Sequence, residues 1–133
     1  MKKIALLGVA LGAALLVAGG ASAADGKKVF NKCKSCHSLE VGKNKVGPYL
    51  NGMIGRTAGS VDGFKYSKIL VEAGAQGLVW DEQNLVQYLE NPQKFLKAYV
   101  TEKGGKASGR SKMSFRLKKS DDAVAVIDYI NSQ

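Results

Sequence analysis

Cys33-Lys34-Ser35-Cys36-His37 decides the reading of this 133-residue chain. Two thiols three residues apart lie on adjacent turns of a short helix, and an imidazole follows at once. The pattern C-x-x-C-H is that of covalent haem attachment. Each thiol adds to one vinyl group of a porphyrin, and the imidazole comes to lie beside the iron. His37 is the one histidine of the sequence, so nothing else supplies a proximal imidazole. Three blander readings compete. A thioredoxin-like redox pair calls for a cytosolic βαβ context and leaves the histidine unexplained. A zinc site takes about four ligands, and two cysteines with one histidine fall short. An idle structural disulfide is the third, because thiols oxidise in exported chains.

Upstream of the motif, residues 1–23 read as a signal peptide. Met1-Lys2-Lys3 is a basic start, Ile4 to Ala18 an apolar run, and Ala21-Ser22-Ala23 a small-residue cleavage site. An uncleaved anchor is the competing reading, since no charge occurs from Ile4 to Ala24 and that length spans a bilayer. The Gly and Ala content dilutes the hydrophobicity and favours cleavage near Ala23, with release into the periplasm. Residues 24–133 then form one small domain of about 110 residues. A core this modest gains from a bound cofactor, and a haem would fill it with a large flat apolar body. The formal net charge is +9, or +7 once Lys2 and Lys3 are removed, which suits anionic partners reached by long-range steering. Nucleic acid is disfavoured by export and by the lack of a recognisable nucleic-acid motif.

Along the domain the patterns are helical or irregular. Asp25 to Cys36 reads as a helix capped by Asp25. Ser38 to Tyr66 has no sustained period, and glycines at 42, 47, 52, 55, 59 and 63 mark an ordered loop. A loop this long is unusual in a compact domain, unless a haem lies beneath it. Ser67 to Ala73 predicts a short helix stopped by Gly74. Asp81 to Asn91 predicts another, capped by Asp81. Pro92 opens a third, to Lys103. Gly104 to Gly109 is polar and flexible in composition. A last helix runs from a Ser120 cap to Asn131, with Ala123, Val126, Ile127 and Ile130 on one stripe. Nothing reads as strand, so the class is all-α with much loop.

Iron held by one imidazole needs a second axial ligand or an open position. Met53, close behind the motif, suits core packing. Met113, in Lys112-Met113-Ser114-Phe115, lies in a Gly- and Lys-rich loop where a methionine gains little from burial, and it suits the distal ligand. Lysine is the alternative ligand, but it must lose its proton to bind. A His/Met pair raises the reduction potential.

Taken in order, these segments resemble class I cytochrome c along nearly the whole of residues 24–133, in particular the long bacterial kind, cytochrome c2. The attachment motif, Gly47-Pro48-Tyr49-Leu50, Gly52 to Arg56, Trp80, Tyr88-Leu89-Glu90-Asn91-Pro92 and the Lys-Met-x-Phe segment all match. The resemblance implies the class I cytochrome c fold, with N- and C-terminal helices crossing and short helices and loops wrapped around one covalent haem c. It implies that Cys33 and Cys36 carry the thioethers and that His37 and Met113 ligate the iron. It implies that the Pro48 carbonyl accepts from the other imidazole nitrogen of His37, which fixes tautomer and ring angle. Arg56, Tyr66, Ser67 and Trp80 match residues that hydrogen-bond the haem propionates. Tyr88 matches a tyrosine beside the ligand sulfur, and Ser111 a hydroxyl near the buried propionate. Gly26 and Phe30 match residues that cross Val126 and Tyr129. Two departures stand out: Leu70 replaces an asparagine of mitochondrial relatives, and Lys97 to Ser108 is an insertion that lengthens the loop before Met113.

The function so implied is that of a one-electron carrier, not an enzyme. Phe115 is expected at an exposed haem edge, ringed by Lys28, Lys32, Lys45, Lys94, Lys112, Lys118 and Lys119, which dock on acidic partner surfaces. The resemblance implies a monomer that takes electrons from a quinol–cytochrome c oxidoreductase. It passes them to a photosynthetic reaction centre or a cytochrome c oxidase. A haem enzyme with an open iron is the first competitor, although no second histidine exists to serve as its acid–base group. A haem-free secreted domain with one disulfide is the second.

Overall fold

The computed structural model describes residues 23–133. The expected signal peptide therefore lies outside the described residues, apart from Ala23, where the first helix begins. Five helices follow one another: α1 (Ala23–Phe30), α2 (Lys68–Ala75), α3 (Glu82–Glu90), α4 (Pro92–Glu102) and α5 (Ser120–Asn131). Among the described residues there is no strand, only an isolated antiparallel bridge between Thr57 and Val79. No described helix is long and apolar enough to cross a membrane.

Local chemistry explains most boundaries. Asp81 accepts from the Asn84 amide while the Asn84 side chain accepts from the Asp81 amide, a reciprocal cap that starts α3. Asn91 closes α3, and its side chain caps α4 at the Lys94 amide (3.1 Å), with Pro92 at the first helical position. Five expectations need correction. The first helix ends at Phe30, not Cys36; residues 31–36 form turns, and Asp25 lies inside the first helical turn rather than capping it. The amides of Asn31, Lys32 and Cys33 reach carbonyls three residues back, at 3.2, 3.0 and 2.8 Å, a tightening common at helix ends. Ser67 is the cap of α2 rather than its first residue, and Gly74 lies within α2 rather than stopping it. A Cβ on Gly74 would sit 2.0 Å from the Ala58 carbonyl oxygen, so glycine serves close approach there, and the helix runs on to Ala75. Ser120 is the first residue of α5; Lys119 holds the cap position and makes no side-chain cap bond.

The core gathers Ile69, Leu78, Leu96, Val100, Val126 and Ile127, all essentially inaccessible to solvent. The stripe of α5 points inward as its spacing predicts: Ala123, Val126, Ile127 and Ile130 are buried. Across it, α1 crosses α5, and the Phe30 and Tyr129 rings lie 5.6 Å apart. Gly26 makes the crossing possible. A Cβ there would fall 2.2 Å from the Ala125 carbonyl oxygen and 2.7 Å from the Tyr129 Cβ.

Neither neighbour can yield, because one is helix backbone and the other is fixed to it. Gly26→Val should therefore force α1 off α5, cost about 1–3 kcal/mol or more by overpacking, and lower the thermal midpoint by at least about 5 °C. A melt followed by circular dichroism checks this.

Candidate functional site

The attachment motif sits where α1 gives way to turns. The His37 amide returns to the Cys33 carbonyl (2.9 Å), so the side chains of the motif emerge within one turn. Two further backbone bonds fold the following loop onto it: Gly47 N–H to the Cys36 carbonyl and Leu50 N–H to the Ser38 carbonyl, both 2.8 Å. They place the Pro48 carbonyl 2.7 Å from His37 Nδ1. A carbonyl only accepts, so Nδ1 carries the proton and Nε2 keeps its lone pair. Only glycine suits position 47, since a Cβ would lie 2.3 Å from His37 Cε1. Burial pushes the His37 pKa below the ordinary histidine value; the Pro48 bond opposes this and the Lys45 charge adds to it. The imidazole is thus neutral at pH 7, the form that binds a metal. Cys33 and Cys36 are free and partly buried, not joined as a disulfide. Burial raises the Cys33 pKa, with help from Cys36 and against Lys32. No cluster of three His, Cys, Asp or Glu suited to a metal ion occurs among the described residues, which removes the zinc reading.

Met113 lies in a stretch between Gly104 and Lys119 that has no helix of its own. The Tyr88 hydroxyl donates to its Sδ at 3.6 Å. Tyr88 is buried on α3, 4.8 Å from the Trp80 ring and edge-on to Phe95 at 6.1 Å. Ser111 lies in this network: its hydroxyl donates to the Met113 carbonyl at 2.8 Å and its amide to Gln93 Oε1 at 2.7 Å. The Lys112 ammonium bonds the Lys65 carbonyl. Met53 is buried in the core, as its place in the sequence predicts. Gln93 carries no sequence signal: a glutamine after the opening proline of a helix is ordinary.

The remaining polar candidates make contacts of their own. The Arg56 guanidinium donates to the Tyr49 carbonyl (2.8 Å) and the Asn51 carbonyl (2.7 Å), and it lies 4.7 Å over the Tyr49 ring. The Tyr66 hydroxyl accepts from the Val61 amide at 3.1 Å, leaving its own proton to donate. Burial raises the Tyr66 pKa against the Val61 bond and the Arg56 charge, which keeps the phenol protonated. Ser67 is buried and caps α2 at the Leu70 amide. A cleft of about 300 Å³ joins Tyr49 and Arg56 to Ser60, Val61 and Asp62. A larger one, about 480 Å³, lies along α4 beside Lys94 and Lys97 and holds no other candidate. Leu70 packs partly buried against the core. Half of the Lys97–Ser108 insertion is helix: α4 runs to Glu102, and Gly105 then docks against Glu72 of α2 and Gln76 just beyond it, with its amide on the Val100 carbonyl at 2.9 Å. All seven candidate docking lysines are exposed. Lys45 and Lys112 are held on backbone carbonyls, Lys45 on that of Lys34. Phe115 is 37% exposed.

These features fit a covalent haem. Two free thiols one turn apart, an imidazole with Nδ1 engaged and Nε2 available, and a thioether that accepts from a buried hydroxyl are the donor types such a group takes. The spacing of Gly47 against the imidazole reserves the ring's position.

Comparison with known proteins agrees. The cytochrome c family model matches residues 23–133. Cytochrome c2 of Rhodopseudomonas palustris is 44% identical over 110 residues, covering 81% of this chain and 95% of that protein. Cytochrome c2 of Rhodospirillum rubrum is 41% identical over 138 residues, covering 99% and 98%. The solved structure of cytochrome c2 from Rhodospirillum centenum superposes with a TM-score of 0.78 at 40% identity, covering 81% of this chain and 94% of that one.

Tyr88 offers a test of the buried network. Tyrosine ordinarily ionises near pH 10, and burial pushes Tyr88 up to about 12, against the nearby Ser111 side chain. The folded state thus binds this proton more tightly than the unfolded state. Its contribution to stability is complete below about pH 10 and is lost as pH rises through about 12. Tyr88→Phe should remove that part of the alkaline decline, as read from denaturant midpoints between about pH 9 and 12.

Proposed function

This chain belongs to the cytochrome c family, and from that premise we propose that it is a periplasmic one-electron carrier whose haem is gripped between His37 and Met113. The family carries electrons on covalently attached haem, so electron transport and iron binding come with membership. When bound, the haem supplies a ferric–ferrous couple. In this reading Cys33 and Cys36 hold one haem per chain by thioether bonds, and His37 presents Nε2 in a tautomer set by Pro48. Met113 presents its sulfur under a hydrogen bond from Tyr88. The observation that carries the reading is the 2.7 Å bond between His37 and Pro48, which aims a neutral imidazole from within the attachment motif.

Arg56, Tyr66, Ser67 and Trp80 would hold the propionates of a bound haem, the guanidinium supplying charge and the hydroxyls and indole supplying donors. Ser111 steadies the same edge from the Met113 side. With haem bound, the partly exposed Phe115 would mark the edge through which the electron passes, and the exposed lysines would steer acidic partners to it. Residues 1–23 act as the export signal; the family match beginning at residue 23 supports this boundary. The donor is a quinol–cytochrome c oxidoreductase, and the acceptor a photosynthetic reaction centre or cytochrome c oxidase, reached by the protein as a monomer.

A redox titration with visible spectra on the haem-loaded protein tests the ligands. Low-spin iron with a sulfur-to-ferric charge-transfer band is expected. Met113→Ala should abolish the band, keep the thioether links and lower the potential by more than about 59 mV, a tenfold step in a one-electron couple. An unchanged potential sinks the distal assignment. Docking is tested separately: second-order electron transfer to an acidic partner should slow at least about tenfold from low salt to roughly 1 M, where screening acts within about 3 Å.

A further inference from the structure

We propose that Gln93 is a latch on the loop that presents Met113, and that its release opens the distal position to an external nitrogenous ligand. The inference rests on the reading of Met113 as distal ligand and assigns a control to it. Gln93 itself is set on a firm base. It is the second residue of α4, behind a cap made by Asn91 and behind Pro92, which is completely buried. Its side chain reads the backbone of the opposite loop at two points. Oε1 accepts the Ser111 amide at 2.7 Å, and Nε2 approaches the Gly109 carbonyl at 3.5 Å. The Ser111 amide needs an acceptor, which fixes the orientation of the side-chain amide.

The constraint reaches the ligand residue in one further step. The Ser111 hydroxyl donates to the carbonyl of Met113 itself, at 2.8 Å. On the far side of Met113, the loop is next anchored at Leu117, which is buried and whose amide bonds the Leu89 carbonyl at 2.7 Å. Met113 therefore hangs between two anchors, Ser111 and Leu117. Without the first, the nearest upstream backbone tie to a helix is Gly105 on Val100. The stretch between Gly105 and Leu117 would then keep only the side-chain bonds of Met113 to Tyr88 and of Lys112 to Lys65, with a gain in conformational entropy. The Lys112 bond to Lys65 is exposed, and water competes for it; the Gln93 bond to Ser111 is partly buried and holds better.

The test uses the haem-loaded ferric protein with imidazole as the probe, and two variants. Gln93→Leu keeps the size and removes both bonds. Gln93→Glu keeps an acceptor for Ser111. Imidazole binding is followed by loss of the sulfur-to-ferric band, and Ser111 amide exchange by nuclear magnetic resonance. Gln93→Leu should raise imidazole affinity and Ser111 exchange by about tenfold each, the scale of one net hydrogen bond. Gln93→Glu should return both to within about threefold of wild type, which a merely structural role would not produce. Wild-type values in Gln93→Leu, or Gln93→Glu behaving like Gln93→Leu, would overturn the latch while the wild-type band still upholds Met113. A wild-type spectrum lacking the band would overturn the reading of Met113 and the latch with it.

Discussion

The hydrogen bond between His37 Nδ1 and the Pro48 carbonyl organises this molecule. It joins the turn that follows α1 to the start of an irregular segment that runs to Tyr66. Ordering such a segment costs roughly 1–2 kcal/mol of backbone entropy per residue, with no helix ladder to offset it. The bond, with the flanking ties from Gly47 and Leu50, converts the first part of that segment into a fixed wall. It also decides the state of the imidazole. Burial removes the charge, Nδ1 keeps its proton and donates it to the carbonyl, and Nε2 is left with its lone pair. Glycine at 47 is the steric condition for all of this, because any side chain would collide with the ring.

The two sides of the site are built differently. The proximal side is local: Cys33 to Pro48 lie within one short run of chain. The distal side is assembled from distant pieces. Tyr88 comes from α3, Gln93 from α4, and Met113 from a loop far along the chain. Aromatic packing holds Tyr88 in place, whereas side-chain bonds to backbone hold the loop. The proximal side is therefore fixed by covalent proximity and the distal side by tertiary packing.

Much of the fold was legible in the sequence. The stripe on α5, the reciprocal cap of α3 and the Asn91–Pro92 junction are local signals, and the structure honours them. The errors were also local in appearance but tertiary in cause. Gly74 reads as a helix stop, yet α2 continues through it, because the missing Cβ makes room for the Ala58 carbonyl. The motif reads as the end of a long first helix, yet the chain tightens into turns after Phe30 so that His37 can swing toward Pro48. Ser120 reads as a cap, yet the helix takes it in as its first residue.

By itself, the sequence determined the chemistry: two thiols and an adjacent imidazole, a lone methionine in a polar loop, an excess of positive charge, and helical periodicity without strands. Those are properties of residue type and spacing, and spacing of this kind acts over one or two helical turns. Only the tertiary structure decided which glycines admit a neighbour, that Tyr88 donates to the Met113 sulfur, and that Gln93 holds Ser111. Such contacts join residues 18 or more positions apart, or rest on a missing methyl group. A linear pattern has no way to record which distant atoms will occupy the space.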